Sequence, residues 1–118
     1  MKVAVIGSRG LTIDRLEELL PPETTEIVSG GARGIDTCAR DYALRNKIKY
    51  TEFLPDYKKF GKSAPLRRND LIVAYADLIL AIWDGRSHGT RYVIDACQKQ
   101  GKPIEIFLDK NSFNFNLK

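Results

Sequence analysis

The stretch "SGGARGID", residues 29–36, places three glycines and one arginine between two apolar segments. Glycine has no Cβ, so it lets a ligand approach the backbone closely. Free N–H groups at the start of a helix, where the positive end of the helix dipole lies, bind anions. This pattern predicts a phosphate-binding turn with contacts from Gly30, Gly31, Arg33, Gly34 and Asp36. A tight turn that needs glycine at positive φ is the structural alternative.

A second glycine-rich stretch, "WDGRSHGT" at residues 83–90, follows the most apolar run of the chain. A helix is expected to begin near Gly89, so its first amides form a second anion site. Thr90 either donates to a phosphate or caps the helix, and Trp83 either stacks on a base or belongs to the core. The predicted contacts are Asp84, Ser87, Gly89 and Thr90.

Two shorter motifs carry further polar groups that suit a phosphate. "GSRG" follows the first apolar run and contributes Gly7, Ser8 and Arg9, although a turn with an exposed arginine explains it too. "RRND" lies in a predicted helix and contributes Arg68 and Asn69, for which a solvated helix face is the alternative. An arginine guanidinium binds phosphate through two parallel hydrogen bonds, which makes both arginines candidate ligand contacts.

Short apolar runs alternate with stretches of helical period along the chain. Strands are predicted at residues 2–7, 25–30, 48–53, 77–83 and 103–107. Helices are predicted at 12–20, from 33, at 63–75 and from 89 to 101, with a basic loop at 54–62. This alternation predicts an α/β fold with a parallel sheet of about five strands and helices on both faces. The glycine-rich motifs all follow strands, so we expect the site at the carboxyl edge of the sheet.

Length and composition set the broad class of the protein. The 118 residues, 43% of them hydrophobic, predict one domain (1–118) with a polar tail at 110–118. No apolar run approaches the roughly 20 residues that span a bilayer, so we expect a cytoplasmic protein with no membrane partner. Cys38 and Cys97 are expected to be free thiols, and a single histidine argues against a metal site.

The four motifs occur in an order and spacing that resemble the SLOG superfamily, and most of all its small stand-alone YspA/YpsA-like branch. The resemblance runs from residue 2 to residue 107 and also extends to the core of the DNA-binding protein DprA and to the lonely-guy (LOG) phosphoribohydrolases. It implies a Rossmann-like three-layer sandwich that binds a nucleotide or nucleotide-derived ligand at the strand ends, often as a homodimer. It implies no firm cofactor.

One departure from the LOG enzymes bears on catalysis. Their motif carries a glutamate that N-glycosidic cleavage needs, and the corresponding position here is Val93, which cannot transfer a proton. A binding or sensing module for a phosphorylated nucleoside therefore ranks first. A hydrolase that cleaves a glycosidic or phosphate bond at the same site ranks second. Binding of single-stranded DNA through the basic run between Lys58 and Arg68 ranks third.

Overall fold

The computed structural model describes residues 1–109 and 114–115 of the chain. The strands are β1 (Lys2–Gly7), β2 (Thr12–Ile13), β3 (Glu26–Ser29), β4 (Lys49–Glu52), β5 (Leu78–Trp83), β6 (Ile104–Leu108) and β7 (Asn114–Phe115). The helices are α1 (Ile35–Arg45), α2 (Tyr57–Phe60), α3 (Ala64–Tyr75) and α4 (His88–Gln100). Short 3-10 turns cover Leu16–Glu18 and Gly61–Ser63.

Five of these strands form one parallel sheet in the order β4-β3-β1-β5-β6. The strands β1 and β5 lie in the centre, and their continuous apolar sequences suit burial on both faces. The α/β, Rossmann-like prediction and its five strands are therefore confirmed. The glycine-rich segments after β1 and β5 meet at the carboxyl edge of neighbouring strands.

Two apolar clusters lie on opposite faces of the sheet and hold the three layers together. One joins alternate residues of β1, β3 and β5 to α1 and to the segment 11–20. The other joins the intervening strand residues to α3 and α4. Alternate strand side chains point to opposite faces, so each strand contributes to both clusters.

The prediction of a helix at residues 12–20 is wrong. Residues 12–13 form β2, and only residues 16–18 make a helical turn, of the 3-10 type. Leu11 and Ile13 are both buried, and only an extended backbone points residues two apart to the same side. Pro21 and Pro22 then end the segment shortly after the 3-10 turn. The apolar residues still cover the sheet, as predicted.

The basic loop predicted at residues 54–62 contains helical structure instead. Asp56 accepts a hydrogen bond from the Lys59 backbone N–H at 3.1 Å and so caps α2. Gly61 at φ +56° ends α2 and leads through the 3-10 turn into α3. The polar tail predicted at 110–118 lies outside the described residues, except that β7 pairs in parallel with β2.

Both cysteines are free, Cys97 buried and Cys38 half-buried. In the part of the chain that the structure describes, no helix has the length and hydropathy needed to cross a bilayer.

Candidate functional site

A cleft of about 490 Å³ opens at the carboxyl edge of the sheet, above β1 and β5. Its walls come from the segments after β1 and β5, the start of α4, the start of α1 and the segment that leads into α3. Most of the predicted site residues line it: Gly7, Ser8, Arg9, Asp36, Arg68, Asn69, Asp84, Ser87, Gly89 and Thr90. The topology thus brings four motifs that are distant in sequence to one opening.

A closed ring of hydrogen bonds fixes the segments after β1 and β5 against each other. The Asp84 backbone N–H donates to Ser8 Oγ at 3.0 Å, and the Ser8 and Ser87 hydroxyls are 2.5 Å apart. The Ser87 hydroxyl and backbone N–H donate to Asp84 Oδ1 at 3.1 and 2.8 Å. Burial raises the pKa of Asp84, but the bonds from the Ser87 and Arg86 backbone outweigh it and hold that pKa below its ordinary value. Asp84 is therefore an anionic support of the loop.

This ring holds the N-terminus of α4 at the wall of the cleft. The first intrahelical bond runs from the Arg91 N–H to the Ser87 carbonyl at 3.2 Å, so the amides of residues 88–90 have no intrahelical acceptor. Ser87 makes no side-chain cap on them. No described atom outside the local helix turn lies within 4 Å of a Cβ placed on Gly89. The open space beside Gly89, together with the amides of residues 88–90 that have no acceptor within the helix, forms a site for an anion.

Arg68 places a buried positive charge on the opposite wall. The residue is only 8% exposed. Its Nη1 donates to the Gly30 carbonyl and, at 3.4 Å, to the Phe53 carbonyl, and its Nε donates to Asn69 Oδ1 at 2.8 Å. Among the described residues no carboxylate forms an ion pair with it within 4.0 Å. The guanidinium is thus positioned by neutral acceptors, and the nearby Asp36 carboxylate favours its charged form without forming a direct ion pair.

Asp36 is the buried acid of the cleft, at 5% exposure. Burial raises its pKa from 3.8 to about 6, against the opposing effects of the Ala32 amide and the Arg68 charge. Its Oδ2 accepts from the Ala32 N–H at 3.2 Å. The amides of the "SGGARG" turn, predicted to bind a phosphate, therefore already have a carboxylate of the chain itself as their anion.

The glycines of this turn are also accounted for by contacts within the chain. A Cβ on Gly30 would lie 2.5 Å from Arg68 Nη1, so Gly30 makes room for the guanidinium. Gly34 has φ +79°, and a Cβ there would lie 2.5 Å from the Arg9 carbonyl oxygen. Gly31 has φ +75°, with Leu54 packed above it. Positive φ and close packing within the chain are therefore sufficient to require glycine at these positions, and a phosphate contact at this turn stays a prediction.

Four predicted contacts lie outside the lining of the cleft: Gly30, Gly31, Arg33 and Gly34. Arg33 is exposed on the turn before α1, and its direct role toward a ligand stays a prediction. Trp83 donates from Nε1 to the Ser87 carbonyl at 3.0 Å and packs in the α3/α4 cluster, which makes it a structural residue.

Sequence reasoning missed part of the lining: Ile6, Gly10, Ala32, Lys62, Pro65, Leu66 and Val93. Lys62 belongs to the basic run after the third predicted strand, and its position after a strand was a signal that pointed to the same edge. Val93, at 1% exposure, presents an apolar side chain where the LOG motif has its glutamate. Within the described residues, no group of three or more His, Cys, Asp or Glu side chains could hold a metal ion.

Comparison with known proteins agrees with the motifs. The model of the YAcAr family, described as the YspA, cpYpsA-related SLOG family, matches residues 1–60. The gene 61 protein of Mycobacterium phage D29 is 38% identical over 90 residues, which cover 71% of this chain and 72% of that protein. No solved structure matches the chain. The resemblance drawn from the sequence motifs is thereby confirmed, and the chain belongs to the YspA, cpYpsA-related SLOG family.

Proposed function

We propose that this protein binds a phosphorylated nucleoside or nucleotide derivative in the cleft at the carboxyl edge of the sheet, as a binding or sensing module. Membership of the SLOG family suggests a nucleotide-related function. The phosphate lies between the first amides of α4 and the Arg68 guanidinium. Exposed Arg9 and Lys62 at the rim add positive charge that attracts an anion.

The buried charge of Arg68 is the observation that carries this proposal. Hydrogen bonds to neutral acceptors and the nearby Asp36 carboxylate hold this charge in place, and an anion in the cleft would compensate further for its removal from water. Burial lowers the pKa of Arg68, and the charge of Asp36 opposes that effect. The positive charge of Arg9 lowers the pKa of Arg68 further, so Arg9 is a second cation near the Arg68 guanidinium. An anion with several oxygens would match both guanidinium groups. That requirement suits a phosphate better than a neutral ligand.

A thermal-shift screen of wild type, Arg68→Gln and Arg67→Gln tests the proposal. The ligands are nucleoside mono-, di- and triphosphates, cyclic nucleotides, NAD, ADP-ribose and a short oligonucleotide. At a hundredfold excess over Kd a bound ligand stabilises the protein by about 2.7 kcal/mol. Arg68→Gln should lose this shift, whereas Arg67→Gln should keep it because Arg67 is exposed and outside the lining of the cleft.

A flat screen for all the small ligands would overturn the proposal. A response to the oligonucleotide alone, falling steeply with salt, would instead favour binding of single-stranded DNA. The homodimer implied by the family resemblance stays a prediction, which sedimentation with and without the bound nucleotide would check.

A nucleotide-processing hydrolase on the same site is the second candidate, and Asp36 is the observation that favours it. A carboxyl group with a pKa of about 6 in a ligand cleft is suited to donate or accept a proton near neutral pH. The expected signature is release of free base or phosphate from a bound nucleotide, abolished in Asp36→Ala. Release that continues unchanged in this variant would contradict the assignment.

A further inference from the structure

Two side chains of the cleft carry polar groups that no described part of the chain satisfies. Asn69 of α3 is 8% exposed and Thr90 of α4 is 5% exposed, and both line the cleft. Asn69 Oδ1 accepts from Arg68 Nε at 2.8 Å, which directs Asn69 Nδ2 away from the guanidinium. Among the described residues no group bonds to this Nδ2 or to the Thr90 hydroxyl, and neither atom is sealed from solvent. Both groups therefore open into the cleft, one from each helix.

A hydrogen bond beside these two groups joins the helices that carry them. The Tyr92 hydroxyl donates to Asp70 Oδ1 at 2.8 Å. Asp70 is the neighbour of Asn69 in α3, and Tyr92 follows Thr90 by two positions in α4. Neither Asp70 nor Tyr92 lines the cleft. In the described part of the chain no other side-chain hydrogen bond links α3 to α4, so this bond is the directional contact between the two helices.

The remaining contact between α3 and α4 is apolar packing. Ile72 of α3 and Ile94 of α4 belong to the same buried cluster. Apolar burial is non-directional, whereas a hydrogen bond has a preferred length and angle. A phosphate that takes bonds from both helices needs their donors at a fixed separation, because charge-assisted bonds form over about 2.7–2.9 Å. The bond between Asp70 and Tyr92 can fix that separation.

We propose that Asp70 and Tyr92 are positioning residues for the phosphate site. Their hydrogen bond sets the separation of α3 and α4, and so lets Asn69 and Thr90 contact one phosphate group together. The inference rests on the proposed function, since the phosphate in the cleft is the ligand group that these contacts hold. Donors that are already in place bind more tightly, because less freedom is lost when the ligand binds. Loss of the bond should therefore weaken binding without removing any group that touches the ligand.

The negative charge of Asp70 distinguishes this inference from a simple electrostatic effect. A carboxylate repels a nearby anion, so removal of Asp70 should by charge alone strengthen phosphate binding. A positioning role predicts the opposite for Asp70→Ala, which leaves the Tyr92 hydroxyl without its acceptor. Asp70→Asn keeps an oxygen that accepts from Tyr92, and this variant should bind at least as tightly as wild type.

Calorimetric titration with adenosine 5′-monophosphate and with inorganic phosphate, beside urea denaturation of the same proteins, tests the inference. Tyr92→Phe removes only the hydroxyl and should weaken the binding of both probes roughly 2- to 30-fold. Asp70→Ala should weaken binding in the same direction. Tyr92→Phe added to Asp70→Ala should have no further effect, since the bond is already absent.

Tyr75→Phe is the matched control for Tyr92→Phe. Tyr75 is the last residue of α3, and its hydroxyl donates to the Glu26 carboxylate at 2.6 Å. Neither of these two residues lines the cleft. The control thus removes a bond of the same kind from the same helix. Both variants should unfold at lower urea concentrations than wild type, but Tyr75→Phe should keep the affinity of wild type for both probes.

The outcomes separate this inference from the proposed function. If Tyr92→Phe binds both probes as tightly as wild type, or if Tyr75→Phe weakens binding by the same factor, the inference is wrong while nucleotide binding stands. Stronger binding by Asp70→Ala would also overturn it, in favour of charge repulsion alone. If wild type binds neither adenosine 5′-monophosphate nor inorganic phosphate, the proposed function itself fails and the inference fails with it.

Discussion

Replacement of Gly89 by alanine separates the stability of α4 from its role in binding an anion. Gly89 is the second residue of α4, and no described atom outside the local helix turn lies within 4 Å of the added methyl group. Glycine inside a helix is less favourable than alanine by roughly 0.5–1 kcal/mol. Gly89→Ala should therefore raise the free energy of unfolding by up to about 1 kcal/mol, a shift in Tm of about 3–5 °C for a chain of this size.

The same methyl group should weaken ligand binding, because it projects into the space where the phosphate meets the first amides of α4. A hydrogen bond to a charged group contributes about 1.5–3 kcal/mol, so the loss of one such bond lowers affinity by roughly 10- to 150-fold. Urea denaturation and calorimetric titration with the nucleotide from the screen measure the two effects on the same preparation. We expect stability to rise and affinity for the nucleotide to fall in the same variant.

Gly101→Ala is the matched control at the other end of α4. Gly101 occupies the C-cap with φ +72°, so alanine there should destabilise the protein by about 1 kcal/mol and leave binding unchanged. A Gly89→Ala protein that binds the nucleotide as well as wild type would refute the assignment of the phosphate to α4. A clear loss of stability in that variant would refute the packing argument.

Three further substitutions test the supports of the cleft. Ser8 is 1% exposed, and its hydroxyl is hydrogen-bonded to the Asp84 amide and to the Ser87 hydroxyl. Ser8→Ala should therefore lower the free energy of unfolding, measured by urea denaturation, by about 1–3 kcal/mol. A decrease below about 0.5 kcal/mol would count against the ring of hydrogen bonds. Alanine at position 34 would have to adopt a left-handed φ, and its Cβ would clash with a backbone carbonyl. Gly34→Ala should therefore lower the free energy of unfolding by at least about 2 kcal/mol in the same assay. An unchanged free energy of unfolding would contradict the requirement for glycine at this position. The pKa of Asp36 is raised from 3.8 to about 6 in the folded protein, so between these pH values the folded protein retains a proton that the unfolded chain releases. The contribution of Asp36 to the free energy of unfolding therefore falls as the pH rises from about 4 to 6, by on the order of 2–3 kcal/mol. Asp36→Asn should remove this fall, and a stability difference from wild type that is constant from pH 4 to 7 would contradict the argument.

The sequence predicts the sheet well because burial on both faces leaves a strong local signal. The strand β5 is apolar throughout and β1 is apolar from Val3 to Ile6, and strand-to-helix alternation sets their parallel order. The helix prediction for the segment 11–20 is wrong because Ile13 and Leu16 fit a helical period and also fit an extended strand followed by a 3-10 turn. Leu11, buried two positions before Ile13, decides for the extended form.

The chemistry of the cleft was only partly predictable, because its main contacts join residues far apart in the chain. Nothing local in the turn at 29–36 indicates that the side chain lying over Gly30 comes from position 68, or that Asp36 supplies the anion for the turn. The glycines at 30, 31 and 34 are explained by contacts within the chain, and a ligand contact at this turn stays a prediction. The turn at 84–90 left a clearer local signal, since its polar contacts with Asp84 are local and Gly89 faces open space; its contacts with a ligand stay a prediction.

The central claim is that the anion lies at the start of α4 and beside Arg68, above β1 and β5. Backbone amide chemical shifts recorded during titration with adenosine 5′-monophosphate test it most directly, because the two glycine-rich turns give separate signals. We expect the largest changes at Ser8, Gly89 and Thr90, with small changes at Ala32 and Gly34. Changes concentrated at residues 30–34, with none at 88–90, would contradict it and would return the phosphate to the turn before α1.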